Sequence, residues 1–457
     1  MTTVRTADFP LSGATDAAVR AISAAGGQPY LVGGCVRDAL LAPGSTPKDV
    51  DLEVFGLGLD DLRRALQTVG RVDEVGRSFA VLKVRRDGED LDVAVPTTGP
   101  GARPEDAARR RDFTVNALMV DPLTGELLDA VGGVADLRDG VLRHTGPAFG
   151  DDPLRVLRGV RFAARFGFRL ARETAELCRT LPFGDLPVER IWGEWRGIGE
   201  TGRHLSAAVA ALEASGWLAH VPLLARLAGV PQDPRWHPEG DVLTHSALAG
   251  DAAAALADAA GLTGDDRTVV VLGALLHDVG KATHTQHRAD GRITSYGHAE
   301  AGADVARELL TGIGAPPSLV DRVVPVVREH MVATTAQGPS RAAVRRLARR
   351  LVPATMTEWS LVCGADHAGR GAGSGPNPTT AWLELAATAG VDRRPGRPLL
   401  RGADLVALGH APGPGFGAVL AVALAAQDDG AFTDRDGALA WLRDLAADGR
   451  LDELLRG

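Results

Sequence analysis

Strand-period alternation is confined to one early stretch of this chain, and helical spacing replaces it from about residue 150 onward. VDLEVF (50–55), FAVLKVRR (79–86) and DLDVAVP (90–96) alternate apolar and polar residues, as strands with one buried face do. DLRRALQTVG (61–70) has the spacing of a helix with a glycine stop, and Asp87-Gly88 marks a turn between two strands. Segments 14–25, 151–178, 185–199, 205–216 and 241–390 read as helical. RRPGRPLLRG (393–402) reads as a linker, and 401–420 as a loop joining two helices of a small tail. The order predicts an α+β chain, a small mixed sheet first and helices after it.

The 457 residues exceed one ordinary core and predict two to four domains. The N-terminal MTTVRTADFPLSG has no apolar signal-peptide region, and no apolar run reaches the length of a membrane span. The expectation is a cytoplasmic protein with no membrane partner. Cys35, Cys178 and Cys363 are scattered and odd in number, which fits a reducing compartment and forms no metal cluster. A net charge of −8 gives no general attraction to nucleic acid, so any such contact must come from local clusters. The spacing says nothing about oligomeric state.

LVGGCVRDALLAPGSTPKDVDLEVFG (31–56) carries the first chemical pattern. Gly33 and Gly34 follow an apolar pair and let the backbone pass close to a bulky group such as a phosphate. Asp49 and Asp51 at i and i+2 on a strand point to one side, and two carboxylates on one side call for a cation. Mg²⁺ bridges such carboxylates to substrate phosphates. Asp92 in LDVAV is the candidate for a third carboxylate from a neighbouring strand. RRDFTVNAL (110–118) adds Arg110 and Arg111 for phosphates, with Asp112 and Asn116 for ribose hydroxyls. From GDDPLRVLRGVRFAARFGF onward, Arg155, Arg158, Arg161, Arg165, Arg169 and Arg172 recur every three or four residues, a solvated face or a phosphate-facing stripe. RAAVRRLARR (341–350) is basic and amphipathic, either a nucleic-acid backbone contact or a solvated face.

A second pattern lies in the helical part. His277 and Asp278 are adjacent in LLHDVGK, with His245 upstream and His298, His330 and Asp366 downstream. Adjacent residues on a helix lie about 100° apart and can share one metal, and imidazole with carboxylate suits a divalent transition metal.

The GG-x-x-RD loop with DVD, RRDFTVNAL and DDPLRVLRGVRFAARF, in this order over residues 28–195, resemble the class II tRNA nucleotidyltransferase and bacterial poly(A) polymerase family. The histidine pattern looks like an HD-superfamily metal-dependent phosphohydrolase. The resemblance implies a polymerase-β-like head over 1–145, a helical neck over 146–230, an HD domain over 231–392 and a helical tail over 393–457. It implies catalytic, Mg²⁺-binding Asp49 and Asp51, with Gly33, Gly34, Arg37 and Asp38 on the triphosphate. Arg111, Asp112 and Asn116 would contact the nucleotide's ribose and phosphates, and Asp152 with Arg155 would read its base, accepting the amino group shared by C and A. His245, His277, Asp278 and Asp366 would be the HD ligands, with His298 and His330 as added ligands or phosphate contacts and Lys281 near a phosphate. The activity implied is template-independent addition of C, C and A to tRNA from CTP and ATP, beside phosphatase and 2′,3′-cyclic phosphodiesterase activity. The connection TTGPGARPEDAAR (97–109) has only 13 residues, a shortening that CC-only members share, so full CCA and CC-only addition both fit. A poly(A) polymerase, an HD phosphohydrolase as the main activity and a silent RNA-binding protein are the alternatives. The near-neutral C-terminus argues against the first and the retained aspartates against the last.

Overall fold

Buried Leu and Val on alternate positions build one seven-stranded sheet in the first third of the chain. The structure, a computed structural model, describes residues 11–43, 50–75, 81–96, 99, 101–335, 338–371 and 377–456. Asp49 and residues 97, 98 and 100 of the short connection lie outside the described residues. The strands are β1 (Gln28–Val32), β2 (Asp51–Phe55), β3 (Arg71–Val75), β4 (Val81–Arg86), β5 (Glu89–Ala94), β6 (Met119–Val120) and β7 (Leu127–Leu128). They lie in the order β3-β4-β5-β2-β1-β6-β7. Leu52 and Val54 of β2, Leu82 and Val84 of β4, and Leu91 and Val93 of β5 are all buried. Helices Gly13–Ala24 and Leu59–Gln67 bring Val19, Ile22, Leu62 and Leu66 into the same core.

The β2–β5 pairing is parallel and sets Asp51 directly opposite Asp92, while the other pairings in this sheet are antiparallel. β1 was not anticipated. QPYLV is a mid-sheet strand between β2 and β6, and its apolar run lacks the alternation that marks β2.

The chain divides into two compact units, Met1–Leu186 with Ala207–Trp217, and Pro187–Ser206 with Leu218–Gly457. In the second, helices Val242–Ala259, Gly264–Leu276, His298–Gly312, Pro317–Glu329 and Met356–Gly369 pack as a bundle. Trp359 and Trp382 meet edge to face at 5.7 Å in a core that includes Val270, Val326 and Leu347. A two-stranded hairpin, Gln286–His287 with Ile293–Thr294, interrupts the stretch expected to be helical. Asp290-Gly291 at its tip, with Gly291 at φ 82°, is the turn signal that betrays it.

Two expectations are corrected in the tail. Residues 401–420 are not one loop: Gly402–Ala407 is a helix, begun by the Asp404 carboxylate accepting the Arg401 amide at 2.7 Å, and Gly415–Asp429 follows. The basic segment 341–350 is not a free solvated face, because four of its arginines are paired within the protein, although Arg346 and Arg350 remain exposed. Arg349 grips buried Asp428 through two hydrogen bonds of 2.7 and 2.8 Å, Arg345 donates to the carbonyls of Gln427 and Asp428, Arg346 pairs with Asp429, and Arg350 pairs with Glu329 at 2.9 Å. Arg345, Arg346 and Arg349 thereby fasten the tail. Arg349→Ala strands a buried carboxylate and is expected to cost about 3 kcal/mol or more, read as a lower denaturant midpoint. An unchanged midpoint would show that the pair anchors nothing.

Candidate active sites in the head and in the helical body

Gly33 ends β1 and starts helix Gly34–Leu41 at φ 75°, a left-handed conformation natural to glycine. A Cβ there would stand 3.2 Å from Arg111 Nη1 and 3.9 Å from Asp51 Oδ2. The turn, the arginine and the aspartate therefore converge on one place. Asp92 joins from β5 through the parallel register. Its Oδ1 lies 3.5 Å from Lys83 Nζ and is buried without a hydrogen bond. Arg111 pairs with Glu53, two residues along β2 from Asp51, at 2.7 Å.

A second group stands beside the first. Buried Arg37 donates to Asp38 and Asn116, and Asn116 donates to Asp112 at 2.9 Å. Arg158 pairs with Asp112 at 2.9 Å and Arg165 with Asp38 at 2.7 Å. Burial alone would push the Asp112 carboxyl up. The Arg158 charge, with hydrogen bonds from Asn116 and the Phe113 amide, more than offsets this and holds it below the usual range. Arg37 lies over Phe162 and Phe166 at 5.2 and 4.6 Å, and Arg161 over Phe162 at 5.0 Å. Part of the arginine row of helix Leu154–Phe166 thus faces the head's own carboxylates and rings. Arg155 donates to the carbonyls of Ala148 and Arg110, the Arg110 side chain is exposed, and Asp152 Oδ1 accepts from the Leu154 amide at 3.2 Å.

In the second unit six residues from five elements meet. His245 comes from helix Val242–Ala259, His277 and Asp278 from the end of Gly264–Leu276, His298 from the start of His298–Gly312, His330 from the end of Pro317–Glu329, and Asp366 from Met356–Gly369. All six are buried. Gly280 makes the approach possible, since a Cβ there would fall 2.0 Å from the His298 carbonyl oxygen. His245 Nε2 lies 3.1 Å from Asp366 Oδ1 and 3.3 Å from His277 Nε2. Asp278 Oδ2 is 3.1 Å from His277 Nε2, while its Oδ1 is 3.1 Å from His298 Nε2 and 3.7 Å from His330 Nε2. Asp278 therefore spans two clusters.

The outer nitrogens set the tautomers. Nδ1 of His277, His298 and His330 each donates, at 2.7 Å, to the carbonyl three residues earlier, of Ala274, Ser295 and Val327. His298 Nε2 and His330 Nε2 then face each other at 3.2 Å with lone pairs inward, an arrangement that a cation relieves. Buried imidazole and carboxylate donors fit a divalent transition metal.

Glu239 was missed from the sequence. Its Oε1 accepts from His245 Nδ1 at 2.6 Å and from His237 Nδ1 at 2.9 Å. It lies in an irregular stretch, where spacing does not tell which way a side chain points. His237 and Arg370 were also missed. Arg370 donates to both Asp366 oxygens at 2.9 and 3.0 Å. Glu239→Gln is expected to weaken metal binding about 10- to 100-fold without changing the fold, measured by competition with a chelator. Affinity within threefold of the parent would remove Glu239 from the site.

Burial works against a charged His245, but its bonds to Asp366 and Glu239 prevail and raise its pKa to about 9. The metal-free protein is thus stabilised by this proton below about pH 6.5 and loses that contribution as pH rises through 9. A metal bound through His245 would displace the same proton. Its affinity is expected to rise about tenfold per pH unit from 7 toward 9 and then level, in a pH-resolved titration. A flat profile would exclude this proton.

A poly(A) polymerase head domain model matches residues 29–143 and an HD domain model matches residues 242–355. The multifunctional CCA protein of Xanthomonas campestris pv. campestris (strain B100) is 35% identical over 366 residues, covering 75% of this chain and 85% of that protein. The one from Nitrosococcus oceani is 35% identical over 392 residues, covering 80% and 91%. The structure of the Bacillus stearothermophilus CCA-adding enzyme in complex with CTP aligns with TM-score 0.65 at 20% identity, over 97% of this chain and all of that one. This last likeness concerns the fold. Two domain matches in the expected order, each covering part of one of the two sites, and relatives matched along most of their length place this chain in the multifunctional CCA protein family.

Proposed function

We propose that the chain is a tRNA nucleotidyltransferase that adds C, C and A to tRNA 3′ ends from CTP and ATP without a nucleic-acid template, acts in the cytoplasm, and hydrolyses phosphate esters at its HD centre. The observation that carries the first activity is the parallel register that sets Asp51 beside Asp92 under the Gly33 turn. Oxygen ligands and the unsatisfied Asp92 Oδ1 suit Mg²⁺, with Asp49 as a further ligand from outside the described residues. Bound Mg²⁺ would supply charge neutralisation at the phosphates and activation of the tRNA 3′-hydroxyl for in-line attack on the α-phosphate.

The residues of the chain do the rest. Gly33 and Gly34 leave room for the triphosphate at a helix N-terminus, and Arg111 stands over that turn. Arg37 and Asp38 reach Asp112 and Asn116 through one hydrogen-bonded network and hold the ribose side of the pocket in shape. Asp152 and Arg155 read the base, for which Arg155 exchanges its carbonyl partners for ring acceptors. Residues 1–145 then form the head, 146–230 the neck, 231–392 the HD domain and 393–457 the tail. His245, His277, Asp278, His298, His330 and Asp366 would supply the ligands for transition-metal binding, whose chemistry is activation of water against a phosphate ester.

The test is incorporation of labelled CTP and ATP into tRNA transcripts ending before C, after C and after CC. Both nucleotides entering to a CCA end and no further is the expected result. CTP entry with ATP rejected by the CC transcript supports the second reading, a CC-only enzyme, which the 13-residue connection favours. Long ATP tails overturn both.

A further inference from the structure

The strand register of the head sheet lines up a row of charged side chains on the face opposite its buried Leu and Val residues. Lys83 of β4 stands across from Asp92 of β5, and Asp92 stands across from Asp51 of β2. Their strand neighbours Leu52, Leu82, Val84, Leu91 and Val93 are all buried, so the three charged side chains share the other face. Gly33, at the end of β1, continues the row beyond Asp51. Neighbouring strands lie about 4.8 Å apart, which puts Lys83 roughly 10 Å from Asp51 across the sheet. Lys83 Nζ lies 3.5 Å from Asp92 Oδ1 and 3.5 Å from Asp90 Oδ2, and the side chain is partly exposed. Arg85, on the same face, is shared by Asp73 and Asp90 at 3.5 and 3.4 Å. Lys83 is thus a cation whose partner, Asp92, is also the candidate metal ligand.

In-line transfer puts the attacking and leaving oxygens on opposite sides of the α-phosphorus. With the triphosphate at the Gly33 turn and Arg111, the pyrophosphate leaves at the β1 end of the row and the tRNA 3′-hydroxyl enters from the β4 end. The phosphodiester one nucleotide behind that hydroxyl then falls on the Lys83 side. When Asp92 serves a metal, its charge is no longer available to Lys83, and the ammonium keeps Asp90 alone. A compact point charge on a flexible stem suits a single phosphodiester oxygen. We propose that Lys83 binds the last phosphodiester of the tRNA acceptor end and so sets the 3′-hydroxyl against the nucleotide. The inference rests on the nucleotidyltransferase reading and adds to it a residue that holds the RNA strand.

The test uses the full chain, the variants Lys83→Ala and Lys83→Arg, and a tRNA ending in a single C. The last phosphodiester of that tRNA is either native or replaced by a neutral methylphosphonate. Lys83→Ala is expected to raise KM for the native tRNA about tenfold with KM for CTP little changed, and Lys83→Arg to stay close to the parent. Binding of the native tRNA with Mg²⁺ and no nucleotide, read by fluorescence anisotropy, is expected to weaken in Lys83→Ala. The slope of log Kd against log salt is expected to become shallower by about 0.7, the loss of one single-strand phosphate contact. The methylphosphonate is expected to cost the parent about tenfold and to cost Lys83→Ala nothing further. A parent indifferent to the neutral linkage overturns the assignment. A Lys83→Ala loss of the same size on both RNAs, or one that added Mg²⁺ restores, also overturns it, because Lys83 then acts only on Asp92. A parent that incorporates no CTP into the native tRNA overturns the nucleotidyltransferase reading itself.

Discussion

Asp51→Asn is expected to lower CTP incorporation into tRNA by about a thousandfold or more, with hydrolysis at the HD centre unchanged. The size follows from the charge removed: metal-assisted stabilisation is worth several kcal/mol, and each 1.4 kcal/mol is tenfold in rate. Asn keeps the shape and loses the anion. Asp51 is exposed at the start of β2, so the change does not disturb the core made by Leu52 and Val54. Asp92→Asn is expected to act in the same direction, because the parallel register places it opposite Asp51. Single-turnover incorporation with saturating CTP measures the effect. A loss below tenfold in Asp51→Asn would mean that this carboxylate does not hold the reacting metal, and the head assignment would fall.

The residues that sequence reasoning found and those it missed differ for a physical reason. Asp51 and Asp92 sit on strands whose period-2 alternation assigns each side chain a face, so Asp51, paired in sequence with Asp49, and Asp92 as a third carboxylate were legible as candidates before the register was known. His277 with Asp278 was legible as an adjacent pair in an apolar helix closed by glycine, and their distant partners followed from the resemblance to HD phosphohydrolases. Glu239 lies in an irregular segment, where no period assigns direction. β1 was hidden for another reason: a mid-sheet strand reads as a plain apolar run. In the tail, glycine and proline masked the helix Gly402–Ala407, which is held by Asp404 accepting from Arg401 and pairing with Arg435. The arginines at 341–350 show that composition identifies a charged face and not its partner, since Asp428 lies 79 residues away from Arg349.

Asp278 is the residue on which the helical-body site depends most. Its two oxygens face different groups, Oδ1 toward His298 and His330, Oδ2 toward His277, His245 and Lys281. One ion between His245, His277 and Asp366 would use one of these oxygens, and a second ion between His298 and His330 would use the other. Asp278→Asn leaves one carbonyl oxygen and removes the charge shared by both places. It is therefore expected to empty both, taking bound metal from about two ions per chain to near zero and hydrolysis down by about a thousandfold or more. His298→Ala disturbs one cluster and is expected to leave about one ion. Metal content by elemental analysis after equilibrium dialysis separates the two variants, and normal CTP incorporation by both shows that the chain is folded. If Asp278→Asn and His298→Ala each retain one ion, the clusters are independent and the bridging role of Asp278 is wrong. If the parent itself binds a single ion, His298 and His330 are left to contact the substrate phosphate, and their loss raises KM instead of emptying the site.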